Sequence, residues 1–436
     1  CIRDRLTPEN VGAEFYNTLF YIVESPHEKG LIWVGSDDGL VHIKREGSDD
    51  WQDVSPKHPG EAMINAIEIS PHDEATTYLA VTGYKLNDFK PYIYKTANYG
   101  RSWKRIDKGL PESAFVRAVR EDPAIRGLLY AGTEAGMFVS YNDGEDWQSL
   151  DLNLPPVPIT DLKLRQDKLV IATQGRGFWV LDDLFVVRQA MDDLAGKNLH
   201  VFNPGVIEPG VGRGSAGNFE ASNSASGAGI YYYLSSEPKE TLNIEILDRE
   251  GNTVRTYAGK EGDYERCKLG NMDPRSPFKI KYPTSRKGLN KWTWDLRGKG
   301  IKCVDDITLF AGFSGPHVPP GDYSARITTG EAEQTIDFEV KMDPRLGATD
   351  EEVQFWSERL AEVEGLLNES LVGLENLRRS GRQIETLKKD YPDDADLQKT
   401  AAAALGKITA WDGKLIQVLH ETYEDEDAWE TMLAGQ

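Results

Sequence analysis

The sequence predicts a mainly β fold in three parts: a series of four-stranded sheets, an antiparallel β-sandwich and a C-terminal pair of helices. Short β-rich strands separated by Gly-containing turns recur about every 40 to 50 residues in the first part of the chain. Strict alternation of apolar and polar residues returns between residues 230 and 342. After residue 349, apolar residues recur three and four positions apart, which is typical of helices.

The repeat is clearest in three strand–turn–strand segments, which are Gly30–Val41, Gly127–Val139 and Lys168–Val180. Further apolar strands end at a proline, at Pro26, Pro71 and Pro123. A proline removes a hydrogen-bond donor from the ladder and therefore ends a strand. Each unit is predicted to hold about four strands, which is the size of one β-propeller blade. We place blades at residues 14–55, 60–108, 113–152 and 157–184.

Two octapeptides, Thr96–Trp103 and Ser140–Trp147, share the pattern (Ser/Thr)-x-Asn-x-Gly-x-x-Trp. An Asn side chain in such a turn accepts hydrogen bonds from backbone N–H groups, Gly takes a positive φ, and Trp packs between sheets. The residues predicted to build these turns are Thr96, Asn98, Gly100, Trp103, Ser140, Asn142, Gly144 and Trp147. A degenerate third copy spans Gly47–Trp51.

These octapeptides resemble the Asp-box, with Asn98 and Asn142 in place of its usual Asp. The repeats resemble those of bacterial sortilin-like proteins and BNR-repeat (Asp-box) "glycosyl hydrolase" β-propeller proteins, specifically over residues 14–185 and more loosely through the rest of the chain. The matching stretches are Gly30–Gly39, Lys90–Thr96, Arg120–Pro123 and Ala172–Asp183, where Gln174 replaces a customary His. The resemblance implies an incomplete propeller over residues 14–185 and an exported protein that either binds a ligand or hydrolyses a glycan.

The rest of the chain is predicted to contain three segments. Residues 186–229 form a connecting helix, to about residue 195, and a Gly/Ser-rich linker. Residues 230–342 form an immunoglobulin- or fibronectin-like sandwich. Residues 349–436 form a helical hairpin that is expected to be truncated, and Thr349 and Glu352 give its first helix a capping-box signature.

Composition limits the classes of function. The 50 Lys and Arg residues are outnumbered by 71 Asp and Glu residues, and the net charge of −21 repels nucleic acids. No apolar run is long enough to cross a membrane. The seven histidines are scattered without metal-ligand spacing, so we expect no metal and no cofactor. Cys267 and Cys303 either form a disulfide or remain two thiols.

The opening residues 1–5 resemble sequencing-adapter read-through of metagenomic assemblies. The chain is therefore expected to be the C-terminal fragment of a longer protein. A signal peptide would then lie in the missing N-terminal part, and we expect an extracellular, periplasmic or cell-surface location.

The ligand face is predicted from the alternation of turns in an antiparallel blade. The octapeptides connect third to fourth strands, and the turns between second and third strands lie at the opposite end. Those turns carry Ser36, Asp37, Asp38, Tyr84, Lys85, Asn87, Asp88, Glu134, Gln174 and Arg176. These side chains bind a ligand, or they form an ordinary polar surface.

The favoured hypothesis is an exported propeller that binds a peptide, protein or glycan. The alternative is a xyloglucanase- or sialidase-like glycoside hydrolase, which needs two carboxylates roughly 5 to 10 Å apart. Asp37, Asp38, Asp88 and Glu134 are the candidates, some catalytic groups being expected outside the fragment. Arg176 alone falls short of the arginine triad of sialidases. A structural subunit of a surface assembly is a third hypothesis.

Overall fold

A computed structural model describes residues 18–190, 194, 196–208, 227–259, 282–305, 313–342 and 346–415. The chain folds as two compact units that divide between Asp192 and Asp193. Strands account for 38% of the described residues and helices for 21%, so this part of the chain is mainly β.

The first unit consists of four consecutive antiparallel sheets whose strands pair in chain order. The first sheet contains β1 (Leu19–Glu24), β2 (Ile32–Ser36), β3 (Val41–Lys44) and β4 (Gln52–Asp53). The second contains β5 (Met63–Ile69), β6 (Thr77–Gly83), β7 (Asp88–Thr96) and β8 (Lys104–Arg105), with a 3₁₀ turn over Tyr84–Leu86. The third contains β9 (Val116–Glu121), β10 (Leu129–Thr133), β11 (Gly136–Ser140) and β12 (Gln148–Ser149). The fourth contains β13 (Ile159–Arg165), β14 (Lys168–Thr173) and β15 (Phe178–Leu181), and α1 (Leu184–Gln189) follows it.

The first strands of successive sheets pack on one another: β1 on β5, β5 on β9 and β9 on β13. This is the packing of consecutive blades in a β-propeller. Every residue of β6, β10 and β11 is buried, because the two middle sheets are covered on both faces. In contrast, Phe178 and Val180 on β15 are 80% and 49% exposed. The fourth sheet therefore has a free face within the described residues.

Arg120 on β9 joins all four first strands. Its guanidinium donates to the Leu162 carbonyl and, at 2.6 Å, to the Asp161 carboxylate on β13, and it also reaches the Tyr21 hydroxyl on β1. The Glu68 carboxylate on β5 lies 3.7 Å away. Burial raises the pKa of Glu68 to about 7, although the charge of Arg120 opposes that shift.

The second unit contains a two-sheet sandwich and two helices. The smaller sheet pairs β16 (Leu199–Phe202), β18 (Ala228–Leu234) and β21 (Gly288–Trp294). The larger sheet has the order β17 (Val206–Ile207), β23 (Ala332–Val340), β22 (Gly321–Thr329), β19 (Asn243–Asp248) and β20 (Thr253–Ala258). Apolar side chains of both sheets share one core, in which Tyr232, Ile244 and Trp294 are fully buried.

The sandwich differs from its prediction in two respects. Its first strands, β16 and β17, lie within residues 186–229, which were expected to be a helix and a linker. The strands are too short for alternation to reveal them, although Val201 and Phe202 are buried. In addition, β17 pairs parallel to β23. The α1 helix ends at Gln189 rather than near residue 195, and residues 209–226 of the predicted linker lie outside the described residues.

The helical hairpin comprises α2 (Asp350–Asp390) and α3 (Ala395–Leu415). The predicted capping box is confirmed, because Thr349 Oγ1 accepts from the Glu352 N–H and Glu352 accepts from the Thr349 N–H. Residues 416–436 lie outside the described part of the chain. Neither of the described helices is apolar enough over a sufficient length to cross a membrane.

Cys303 is disulfide-bonded. The other two cysteines of the sequence, Cys1 and Cys267, lie outside the described residues. Of the two predicted alternatives, a disulfide or a free thiol, Cys303 therefore has the disulfide.

Candidate functional site

The predicted ligand-binding residues lie in the turns between second and third strands. Asp37 and Asp38 follow β2, Tyr84 and Lys85 follow β6, and Glu134 follows β10. Gln174 and Arg176 follow β14. The connections from one sheet to the next lie at this same end, because each sheet is an antiparallel meander.

The two aspartates of the first turn have different partners. The Asp37 carboxylate accepts a hydrogen bond from the Thr18 N–H at 2.8 Å, which joins this turn to the start of β1. The Asp38 carboxylate accepts from the Ser36 hydroxyl within its own turn. Asp37 therefore joins its turn to the first strand of the same sheet, whereas Asp38 stabilises a local turn.

A small cleft separates the first two sheets at this end. It is lined by Asp37, Glu61, Ala62, Met63, Thr82, Gly83, Tyr84, Lys85 and Leu86. Its volume of about 10 Å³ holds one water molecule. The cleft brings the predicted residues Asp37, Tyr84 and Lys85 together, as the rim of a shallow surface rather than a deep pocket.

A second group of contacts joins the second and third sheets. The rings of Tyr84 and Phe115 stack 4.9 Å apart with an interplanar angle of 12°. The Arg117 guanidinium lies 4.9 Å from the Phe115 ring centre and 5.7 Å from that of Tyr84. Arg117 also pairs with the Glu134 carboxylate at 2.8 Å. We call Tyr84, Phe115, Arg117 and Glu134 the aromatic–arginine cluster.

The aromatic–arginine cluster is ordered by contacts on several sides. The Glu134 N–H donates to the Phe115 carbonyl at 3.0 Å, which fixes the β10–β11 turn against the connection before β9. Phe115 is buried, while Tyr84, Arg117 and Glu134 are half-buried. Phe89, 46% exposed, lies 6.3 Å from Phe115 and extends the apolar surface. The cluster therefore presents a pre-formed aromatic and charged surface to solvent.

Asp88 is hydrogen-bonded within its own strand, β7. It accepts from the Tyr92 hydroxyl at 2.7 Å and from the Lys90 N–H at 3.1 Å. Burial alone would raise the pKa of Asp88, but these hydrogen bonds lower it below its ordinary value.

The His58 ring packs edge-on against Tyr92 and is hydrogen-bonded to Tyr94, and burial lowers the His58 pKa.

Gln174 and Arg176 are exposed in the fourth sheet. The Gln174 N–H donates to the Pro158 carbonyl, and the Arg176 carbonyl accepts from the Trp179 indole. Both contacts use backbone atoms of Gln174 and Arg176. The turn is therefore fixed by its backbone, and the two side chains extend from it.

The octapeptide turns lie at the opposite end of the sheets and have matching hydrogen bonds. Thr96 Oγ1 accepts from the Gly100 N–H, as Ser140 Oγ accepts from the Gly144 N–H. Asn98 and Asn142 each accept a backbone N–H four residues ahead, and Gly100 and Gly144 have φ values of +79° and +83°. The side chains of these residues therefore stabilise the two turns.

The two tryptophans of these turns bind the preceding sheet. Trp103 donates its indole N–H to the Val54 carbonyl at 2.7 Å, and Trp147 donates to the Ile106 carbonyl at 2.6 Å. Trp103 also contacts Trp33 edge-on. In the degenerate copy Trp51 is 44% exposed.

Comparisons with known proteins give only distant likenesses. No protein-family model and no curated protein matches this chain. The GH74 xyloglucanase from Xanthomonas campestris is 14% identical with a TM-score of 0.33, over 74% of this chain and 44% of that one. YCF48 from Cyanidioschyzon merolae is 13% identical with a TM-score of 0.30, over 75% and 97% of the two chains. A YCF48 bound to D1 peptide is 11% identical with a TM-score of 0.30, over 74% and 82%.

The chain thus spans less than half of the xyloglucanase. At these TM-scores the likenesses do not assign a family. Within the described ranges, no group of three or more His, Cys, Asp or Glu side chains is arranged to hold a metal ion.

Phe115 and Arg117 could not be recognised from the sequence, because their partners Tyr84 and Glu134 belong to other segments of the chain. Two of the seven histidines belong to a repeated Ser-Pro-His segment, Ser25–His27 and Ser70–His72, and are not scattered as the sequence analysis predicts. The His27 Nε2–H donates to the Ser70 carbonyl at 2.8 Å, and the His72 Nε2–H donates to the Asp122 carbonyl at 2.7 Å. Each histidine therefore links its sheet to the next. The spacing of 45 residues, one repeat, could have revealed this pair.

Proposed function

We propose that this protein is a β-propeller-type binding protein that recognises a peptide, protein or glycan at the β2–β3, β6–β7 and β10–β11 turns. The single observation that carries the proposal is the aromatic–arginine cluster beside the cleft of Asp37 and Lys85. Tyrosine and arginine side chains supply most of the binding energy in many interfaces. A cluster that is already ordered loses little conformational entropy when a ligand binds.

The surface suits a ligand with an apolar or planar group flanked by polar groups. The half-buried Tyr84 ring is held against Phe115 by stacking, and the exposed Phe89 adds apolar area next to Phe115. Lys85 is exposed on one side, and Arg117 and Glu134 provide donors and acceptors on the other. Aromatic side chains of peptides and the apolar faces of sugar rings both have this chemistry.

The candidate carboxylates favour binding over hydrolysis. A glycosidase general acid needs a raised pKa, so that it is protonated at neutral pH. The pKa of Asp88 is lowered instead. Glu134 is paired with Arg117, and Asp38 with a turn hydroxyl. These contacts suit residues that build a surface.

An exported location is part of the proposal. Cys303 is disulfide-bonded, and disulfides persist mainly in secreted and periplasmic proteins. The acidic composition agrees with a ligand other than a nucleic acid.

The proposal is tested by screening the full chain against a glycan array and a peptide library, followed by titration calorimetry with any ligand found. We expect Tyr84→Ala and Arg117→Ala to weaken binding about tenfold or more. The control is Trp51→Ala, which removes an exposed aromatic ring from the opposite end of the first sheet.

Equal losses in all three variants would contradict binding at the cluster. Release of reducing sugar that stops in Asp37→Asn or Glu134→Gln would instead support the hydrolase hypothesis. If the protein neither binds nor hydrolyses any ligand but another protein co-purifies with it, the structural-subunit hypothesis would be supported.

A further inference from the structure

The two halves of α2 have different environments. In the second half, Leu371 and Leu374 are buried against Val304 and Phe313. The α3 helix lies along this half, since Arg378 pairs with Asp412 at 2.9 Å and Gly381 faces Ile408. Among the described residues, α3 ends at Leu415, which packs near Leu371 and Leu374. The half of α2 before Leu371 is therefore without a helical neighbour in the described part of the chain.

This first half has an apolar stripe. Its residues recur at helical spacing and share one face: Val353, Trp356, Leu360, Val363 and Leu367. Trp356 is 63% exposed, Leu360 46% and Val363 52%. A stripe of this size on a water-exposed helix is typical of an interaction surface.

A groove runs beside the stripe. Its volume is about 530 Å³, and it lies between the first turns of α2 and the segment that leads into β22. The groove is lined by His317, Val318, Pro319, Leu346, Gly347, Ala348, Glu352, Val353, Trp356, Ser357 and Leu360. It has room for several apolar side chains next to the Trp356 ring.

Two glutamates flank the stripe, and the first half of α2 is acidic as a whole. Residues 350–370 contain seven Asp or Glu and one Arg, a net charge of −6. Glu352 and Glu364 flank the stripe on its two sides at helical spacing. Arg359, the single basic residue, is paired with Glu362 at 2.7 Å. The charges repel an acidic occupant and attract a basic one.

We propose that the first half of α2 and its groove bind a basic amphipathic helix of a partner protein. An amphipathic helix places its apolar side chains in a groove, and its lysines or arginines would then face the carboxylates beside the stripe. A second copy of this chain would bring another acidic helix to the same place. Residues 416–436 are also acidic, with six Asp or Glu. Charge therefore favours a basic partner over a second copy of the chain and over residues 416–436.

The test uses the full chain and a synthetic Leu/Lys amphipathic peptide of about five helical turns. One control peptide has Glu in place of Lys, and another has the same Leu/Lys composition in scrambled order. Titration calorimetry is expected to show binding of the ordered Leu/Lys peptide alone, weakened by added salt. Trp356→Ala and Leu360→Glu are expected to weaken it about tenfold, whereas Leu387→Ala, at an exposed position in the other half of α2, leaves it unchanged.

Three results would overturn the proposal. The first is equal binding of the ordered and scrambled peptides, or binding that is unaffected by Trp356→Ala. The second is dimerisation in sedimentation velocity that Trp356→Ala abolishes, which would assign the stripe to a second copy. The third is that Trp356→Ala does not lower the acrylamide-accessible fraction of the tryptophan fluorescence of the free monomer, which would show that the chain itself covers the stripe. Circular dichroism checks that each variant is folded.

Discussion

Arg188 on α1 donates its Nε–H to the carboxylate of Asp122 in the third sheet at 2.9 Å. Asp122 is fully buried at the end of β9, and its carboxylate also accepts from the Tyr130 hydroxyl. The same guanidinium pairs with Asp167 in the fourth sheet at 2.7 Å. Arg188 therefore joins the third and fourth sheets.

Arg188→Met is expected to lower the free energy of unfolding by about 3–5 kcal/mol, because it leaves the buried Asp122 carboxylate without its cation. Urea denaturation measures the loss. The matched control, Arg176→Met at an exposed turn, should change stability by less than about 0.5 kcal/mol. Adding Asp122→Asn to Arg188→Met should restore part of the stability, and additive losses would argue against the coupling.

Trp147→Ala is expected to destabilise the first unit by about 3–5 kcal/mol, because it opens a cavity between two sheets and removes the donor to Ile106. Trp51→Ala, which truncates an exposed ring in the degenerate copy, should have little effect. Thermal denaturation of the two variants separates these outcomes. Similar melting temperatures would contradict the inter-sheet role of Trp147.

Asn98→Asp is expected to be nearly neutral, and Asn98→Ala to cost about 1–2 kcal/mol. The Oδ1 atom of Asn98 accepts from the Ser102 N–H at 2.9 Å, and an aspartate keeps that acceptor. In Asn98→Ala the Ser102 N–H loses its acceptor. Chemical denaturation of both variants tests the difference, and equal losses would show that the amide group, rather than the acceptor oxygen, is required.

The pH dependence of stability should contain a contribution from Glu68. Its pKa in the folded protein is about 7, above the ordinary value of 4.5. The folded state therefore retains a proton that the unfolded state has lost between these values, and stability falls as the pH rises from about 4.5 to 7, by up to about 3 kcal/mol. Glu68→Gln should reduce this slope. Unfolding free energies of both proteins at pH 5 and 8 measure the effect, and parallel profiles would contradict it.

The repeated sheets could be predicted from the sequence because their signals are local. Gly100 and Gly144 mark turns of positive φ, and Trp103 and Trp147 follow them at fixed spacing. The short strand β16 gave no such signal. Its burial depends on the Trp294 core, which assembles from distant strands.

The candidate site could be predicted only in part. Its turns follow from the alternation of strands, and Asp37, Tyr84 and Lys85 of these turns line one cleft. The partners of Tyr84 depend on how two sheets face each other, and nothing near Tyr84 in the sequence indicates Phe115 or Arg117. Asp88 stays a predicted ligand-binding residue, and the hydrogen bond that its carboxylate accepts from Tyr92 could not be foreseen from its position in the turn.

Four of the links between neighbouring sheets end on main-chain oxygens: His27 on Ser70, His72 on Asp122, Trp103 on Val54 and Trp147 on Ile106. A main-chain acceptor is present whatever side chain its residue carries. A sheet of this kind can therefore be duplicated, and its copies can diverge, without losing attachment to the sheet before it. Because these contacts do not depend on the partner's side chain, the turns of each copy can change in sequence independently.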